Sequence, residues 1–233
     1  MENSYDSSYR STTGTSVLSV VMRKVYVRMF FALVVTALTA LYVASSPAIL
    51  TTILGSRTIF FGLMIAELAV VFIVTGMLHK LSSTTAVLLF YLYAILNGVV
   101  FSSIFVAYEL GSIAYTFFIT AGVFGAMSVY GLVTKNDMTK FGSYCIMALF
   151  GLIIATIVNI FVASSTLDWI ISLVGVALFI GLTAWDTQKI KNAAYTTEPS
   201  QMGKLATIGA LSLYLDFINL FLYLLRFFGR SND

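Results

Sequence analysis

LATIGALSLYLDFINLFLYLLRFF, residues 205–228, is apolar enough to cross a bilayer yet carries an acid at its centre. At 1.5 Å per residue its 24 residues make a helix of about 36 Å, against a hydrocarbon core of roughly 30 Å. Gly209, Ser212, Asp216, Asn219, Tyr223 and Arg226 follow one another at steps of 3, 4, 3, 4 and 3. That spacing gathers them on one helical face and leaves Leu, Phe and Ile on the others. Such a helix turns its polar stripe toward protein or water. A carboxylate at membrane depth costs about 3 kcal/mol or more to insert, so Asp216 is either an ion- or proton-path residue or a protonated, hydrogen-bonded packing residue.

The surrounding composition agrees with a membrane setting. Of 233 residues, 59% are hydrophobic and 10% charged, where a soluble domain has about 25% charged residues. Ala-, Leu- and Ile-rich runs of this length indicate helices rather than a barrel. A single cysteine, Cys145, excludes an internal disulfide, and a single histidine, His79, excludes a multi-histidine metal site. No nucleophile–base pair, metal-ligand cluster or phosphate loop stands out, so neither an enzyme nor a resident cofactor is expected. A basic nucleic-acid surface is also missing from the pattern.

Residues 1–22 are rich in Ser, Thr and Tyr and read as a flexible tail. The remainder, 23–230, reads as one transmembrane domain of seven apolar segments: 25–44, 58–78, 84–107, 112–133, 141–163, 169–190 and 205–228. Most connections are short, which favours antiparallel neighbours; those at 45–57 and 191–204 are longer. Basic residues set the orientation. Ten of thirteen lie in the tail, near the start of the first segment or in alternate connections, and Arg57, Arg226 and Arg230 fall on the other side. The positive-inside rule then puts the N-terminus in the cytoplasm and, with seven crossings, the C-terminus outside. A re-entrant last segment, returning the C-terminus to the cytoplasm, fits Arg226 and Arg230 too.

Three acids fall inside apolar segments: Glu67, Asp186 and Asp216. Asp186, in GLTAWDTQKI, is either an interfacial acid paired with Lys189 one turn on or a functional group. Glu67, amid GLMIAELAVVF, must face a partner or water. If Asp186 and Asp216 approach, both cannot ionise cheaply, and one proton shared between them makes a pH-sensitive latch. Counted from Lys189 and Lys204, Asp186 lies about 4–5 Å deep and Asp216 about 18 Å. Level contact therefore needs the sixth helix to run past Lys189 or the seventh to begin outside the hydrocarbon. Asn97, Asn159 and Asn219 suit interhelical hydrogen bonds, and Gly122, Gly125 and Gly151 suit close helix packing. His79 reads as a solvated interfacial residue, and Trp169 and Trp185 as an aromatic belt.

GALSLYLDFINLFLYLLRFFG, GLTAWDTQKIK, MRKVYVRMFFALVVTAL and the mid-helix Glu67 together resemble the Bax inhibitor-1 family, the transmembrane Bax-inhibitor-motif proteins, in its bacterial branch. The resemblance implies an all-α fold in which six transmembrane helices surround a central seventh. It also implies a pH-sensitive calcium leak in the inner (plasma) membrane. Asp186 and Asp216 match the family's gating pair and are the expected calcium contacts; Glu67, Ser212 and Asn219 are candidates for lining the same path. Relatives place an arginine near the end of the second helix as an alternative partner for the pair. This chain has Leu78-His79-Lys80 there, which leaves His79 or Lys80 as substitutes. The rival reading is a membrane-embedded regulator that offers its N-terminal tail to a membrane-anchored ATP-dependent protease. A proton-coupled carrier is a third.

Overall fold

In the bilayer core no water satisfies the backbone, so an apolar chain must close its hydrogen bonds within each segment. The computed structural model obeys this rule. It describes the backbone of residues 2–76 and 81–232, and side chains from residue 17 onward except at 77–80 and at several positions in 54–75. The helices in order are α1 (Glu2–Ala44), α2 (Pro47–Gly55), α3 (Arg57–Gly76), α4 (Ser83–Ala107), α5 (Leu110–Val133), α6 (Thr139–Val162), α7 (Ser165–Thr196) and α8 (Met202–Phe228). Six of them are long and apolar enough to cross a membrane, among the described residues: Val17–Ala44 of α1, and α4 to α8.

Helical backbone begins at Glu2. Two boundaries differ from the sequence reading. The connection at 45–57 is not bare loop: Pro47 starts α2, as its fixed φ suits a first helical turn. The sixth apolar segment continues past Lys189 to Thr196, making α7 32 residues long.

Packing groups the chain into two compact units, residues 1–103 with 189–211 and residues 104–188 with 212–233. In the first unit, α1 and α4 run parallel. The Thr36 hydroxyl donates to the Ala94 carbonyl at 2.9 Å, and one turn on, Gly98 lets α4 press against Thr39. The first turns of α4 and α8 also meet, Ser83 against Gly203. Arg28 of α1 donates to the Gly203 carbonyl at 2.7 Å and to Thr207 Oγ1 at 2.6 Å.

The second unit has a core of Cys145 and Leu152 from α6, Ile171, Leu178, Phe179 and Leu182 from α7, and Leu220 and Leu224 from α8. Close approach here depends on glycines, two of which let α5 and α6 reach α7. A Cβ on Gly131 of α5 would run into the Ala184 carbonyl of α7, and one on Gly142 of α6 would strike the Trp185 indole. The glycines expected to serve this role do not: Gly122, Gly125 and Gly151 have nothing within 4 Å of where a side chain would start. Trp185 is accordingly a packing residue, whereas Trp169 is exposed and meets Phe227 edge-on. Burial is deepest along α8, 67% of its most apolar stretch, and least along α6, 11%.

The chain end is strapped to the α4–α5 turn. Glu109 N–H donates to the Arg230 carbonyl at 2.9 Å and Asn232 N–H to the Ala107 carbonyl at 3.1 Å. The Asn232 amide adds donors to the Phe105 and Tyr108 carbonyls, groups that the end of α4 leaves without helical partners.

Gly142→Ala is expected to lower the thermal midpoint of the detergent-solubilised protein, because overpacking costs about 1–3 kcal/mol. Gly151→Ala, with open space around it, is expected to hold or raise the midpoint, a helical Gly being about 0.5–1 kcal/mol worse than Ala. Equal midpoints for the two variants would refute the packing described.

Candidate functional site

The site is built on the antiparallel seam of α7 and α8 in the second unit. Trp169 meets Phe227, Ser172 accepts from Arg226, Gly175 lies against Tyr223, and Phe179 stacks on Tyr223 at 5.9 Å. On α7 the facing stripe reads Asp168, Ser172, Gly175, Phe179, Leu182 and Asp186, at steps of 4, 3, 4, 3 and 4. On α8 it reads Arg226, Tyr223, Asn219, Asp216 and Ser212. Both aspartates therefore lie on facing stripes. Carried down the seam, the register sets Asp186 level with Ser212 and Asp216 level with Leu182, a stagger of one turn or about 6 Å. The depth mismatch expected from the lysines is thus about halved, because α7 continues beyond Lys189.

The two carboxylates sit in different surroundings. Asp216 is 4% exposed and Asp186 is half-buried. Asp216 lies within electrostatic range of Cys145 on α6. Its neighbour Phe217 packs edge-on against Phe117 and Phe124 of α5, at 5.3 and 5.4 Å. Ser212 and Asn219 flank Asp216 on the stripe, each half-buried. No third acid, histidine or thiol joins the aspartates to form a metal-binding group among the described residues. The side chain of Glu67, and all of His79 and Lys80, lie outside the described residues.

The buried amides behave more locally than expected. Asn97 donates to the Tyr93 carbonyl and Asn219 to the Leu215 carbonyl, each one turn back on its own helix. Asn159 accepts from Ser164 N–H and so caps the end of α6, where Ala163 turns left-handed at φ 52°. A helical amide satisfies itself this way without needing the neighbour that spacing alone suggests.

At the far end of the seam from the aspartates, Arg226 pairs with Asp168 at 2.8 Å and lies over the Tyr223 ring at 5.5 Å. Arg226 is thus committed to α7 and not to Asp216. Near Asp186, Gln188 makes a contact that sequence reading missed. Its Oε1 accepts from Met138 N–H at 2.9 Å and its Nε2 donates to the Asn136 carbonyl at 2.8 Å, tying the α5–α6 connection to α7. A cavity of about 300 Å³ opens at that connection, lined by Met127, Tyr130, Asn136, Asp137, Met138 and Phe141 with Gly181. At its rim, Asp137 Oδ1 accepts from the hydroxyl and the N–H of Thr139 at 2.6 and 2.9 Å.

Long apolar helices with a buried carboxylate inside a polar seam define a polytopic helical membrane protein. The chain belongs to the Bax inhibitor-1 family: the family profile described as "Inhibitor of apoptosis-promoting Bax1" matches residues 18–233. It is similar to the inner membrane protein YbhL of Escherichia coli strain K12, 46% identical over 216 residues, which cover 91% of this chain and 92% of that one. An uncharacterized protein of Borreliella burgdorferi is 45% identical over 215 residues, 91% of this chain and 93% of its own. The protein RP147 of Rickettsia prowazekii is 44% identical over 215 residues, 91% and 90% of the two chains.

The hydrogen bonds from Thr139, first its hydroxyl and then its N–H, with Lys140 adding a smaller pull, hold the Asp137 carboxyl below the usual range. A folded-state value below the unfolded one gives stability that is complete above the ordinary aspartate range and is lost as pH falls through the folded value. Asp137→Ala is therefore expected to lower the thermal midpoint at pH 7, with the gap to wild type closing as pH drops below that range. A gap that stays constant with pH would show that Asp137 contributes no charge-dependent stabilisation.

Proposed function

We propose that this protein is a pH-sensitive calcium leak of the inner membrane, gated by Asp186 and Asp216, with no enzymatic activity and no resident cofactor. What supports the reading is the contact register of α7 and α8 in a member of this family, which, extended beyond Phe179 and Tyr223, brings both carboxylates onto facing stripes a turn apart. A shared proton or a bridging hydrogen bond holds α7 and α8 together and the path shut. A change in protonation parts them and presents carboxylate oxygen to a hard cation that prefers oxygen ligands. Ser212 and Asn219 extend the polar stripe along the path, and the cavity bordered by Asp137 serves as its vestibule. Glu67, His79 and Lys80 remain candidates for the path and for the pair's open-state partner. The similarity to an inner membrane protein supports the compartment.

The proposal includes seven crossings, with α3 as the second, α8 innermost and the N-terminus cytoplasmic. Parity supports it. α1 and α4 run parallel, so the chain leaving α1 on one side must recross before α4 begins. α3 has 20 residues for that crossing, a length of about 30 Å. In a Cys145→Ser background, cysteines placed at Ser82 and Asn136 are expected to be shielded from an impermeant reagent in intact cells. A cysteine at Ser56 is expected to react. Equal labelling of Ser56 and Ser82 positions would overturn the seven-crossing arrangement.

Calcium flux into liposomes containing the purified protein, measured from pH 5 to 8, tests the mechanism. Wild type is expected to conduct with a pH dependence that Asp216→Asn and Asp186→Asn each lose. Flux no greater than in empty liposomes at every pH would reject the leak. If deleting residues 2–20 then abolished engagement of a membrane-anchored protease, the regulator reading would take its place.

A further inference from the structure

Most buried hydroxyls among the described residues bond to their own helix. Thr36, Thr120, Thr156, Ser172, Thr183 and Thr207 each donate to the carbonyl four residues back. Three others in the second unit do not. Thr116 and Ser128 of α5 and Thr187 of α7 have no hydrogen-bond partner among the described residues, at 0, 4 and 0% exposure. A buried hydroxyl left unpaired is unfavourable, and native interiors usually supply ordered water where protein partners are missing.

Their positions are not random. Thr116 and Ser128 belong to a row on α5, Ser112, Thr116, Thr120, Phe124 and Ser128, spaced every fourth residue. Ser128 lies one turn before Gly131, whose missing side chain brings α5 onto Ala184 and Thr187. Ser128 and Thr187 therefore share one seam, next to Asp186. The α5–α8 contacts, Arg230 N–H to Ser112 Oγ, Tyr115 with Phe228, Phe117 with Phe221 and Phe124 with Phe217, run antiparallel. That register sets Asp216 level with Phe124, with Ser128 one turn to one side and Thr116 two turns to the other.

We propose that Thr116, Ser128 and Thr187 hold ordered internal water, and that α5 is a third, hydroxyl-bearing wall of the path on which Asp216 lies. The wall is dry only where Phe124 meets Phe217. A hydrated cation or proton passing Asp216 exchanges water with these hydroxyls, and the aromatic contact beside the carboxylate is the constriction that wets or dewets. This inference rests on the leak reading for its transport part; the hydration part stands alone.

Thr116→Val and Thr187→Val keep the side-chain shape and remove the hydroxyl, and Thr120→Val controls for removing one already bonded to its own helix. Thermal midpoints of the full chain in detergent decide hydration. Midpoints for Thr116→Val and Thr187→Val at or below wild type are expected if the hydroxyls hold water. A rise above wild type in both means dry, unpaired hydroxyls and overturns the inference. In liposomes, Ser128→Ala and Thr187→Val are expected to reduce calcium flux by roughly threefold or more. Undiminished flux in both overturns the assignment of α5 to the path. Absence of flux in wild type counts against the leak itself, and the midpoints then still decide whether water is held.

Discussion

Backbone contact between α5 and α7 at Gly131, and the seating of the Trp185 indole on Gly142, fix how α7 is rotated in the second unit. The rest of the site follows from that rotation. With Ala184 and Trp185 committed to neighbours, Leu182 and Asp186 continue the stripe that faces α8, and Gln188 reaches the α5–α6 connection. In lipid the hydrophobic effect does not drive helices together, so small residues and dispersion contacts must do it. A side chain at either glycine separates the helices, and the polar seam loses its register along with its packing.

The seam also shows how a carboxylate is kept at membrane depth. Asp216 is almost fully buried, while Asp186 is half-buried. The Arg226–Asp168 pair secures the opposite end of the seam, and the strap at Arg230 and Asn232 secures the end of α8 to the α4–α5 turn. The C-terminal end of α8 is therefore held by two independent sets of contacts.

Much of this was legible in the sequence. Apolar runs gave the helices, and the 3–4 spacing in α8 gave the face carrying Ser212, Asp216 and Asn219. What a lone sequence lacks is the identity of the neighbour. Gly151 and Gly142 look alike in the chain, yet only Gly142 meets another helix. Asn97 and Asn219 look like interhelical donors, but a carbonyl one turn back is always within reach and requires no partner. Thr187 is indistinguishable in sequence from Thr183; one is bonded to its helix and the other is not. The extent of α7 is hidden because Lys189 reads as a membrane boundary, while a helix continues for as long as its backbone bonds can be made.

The contact between Trp185 and Gly142 has a spectroscopic consequence. The chain contains two tryptophans, and Trp169 stands exposed near the far end of α7. The other indole lies one residue from Asp186, at the junction with α6. Its emission is thus a native optical gauge of the environment beside Asp186. Replacing Trp169 with Phe isolates that signal, so rearrangement at Asp186 becomes observable in real time without an attached dye.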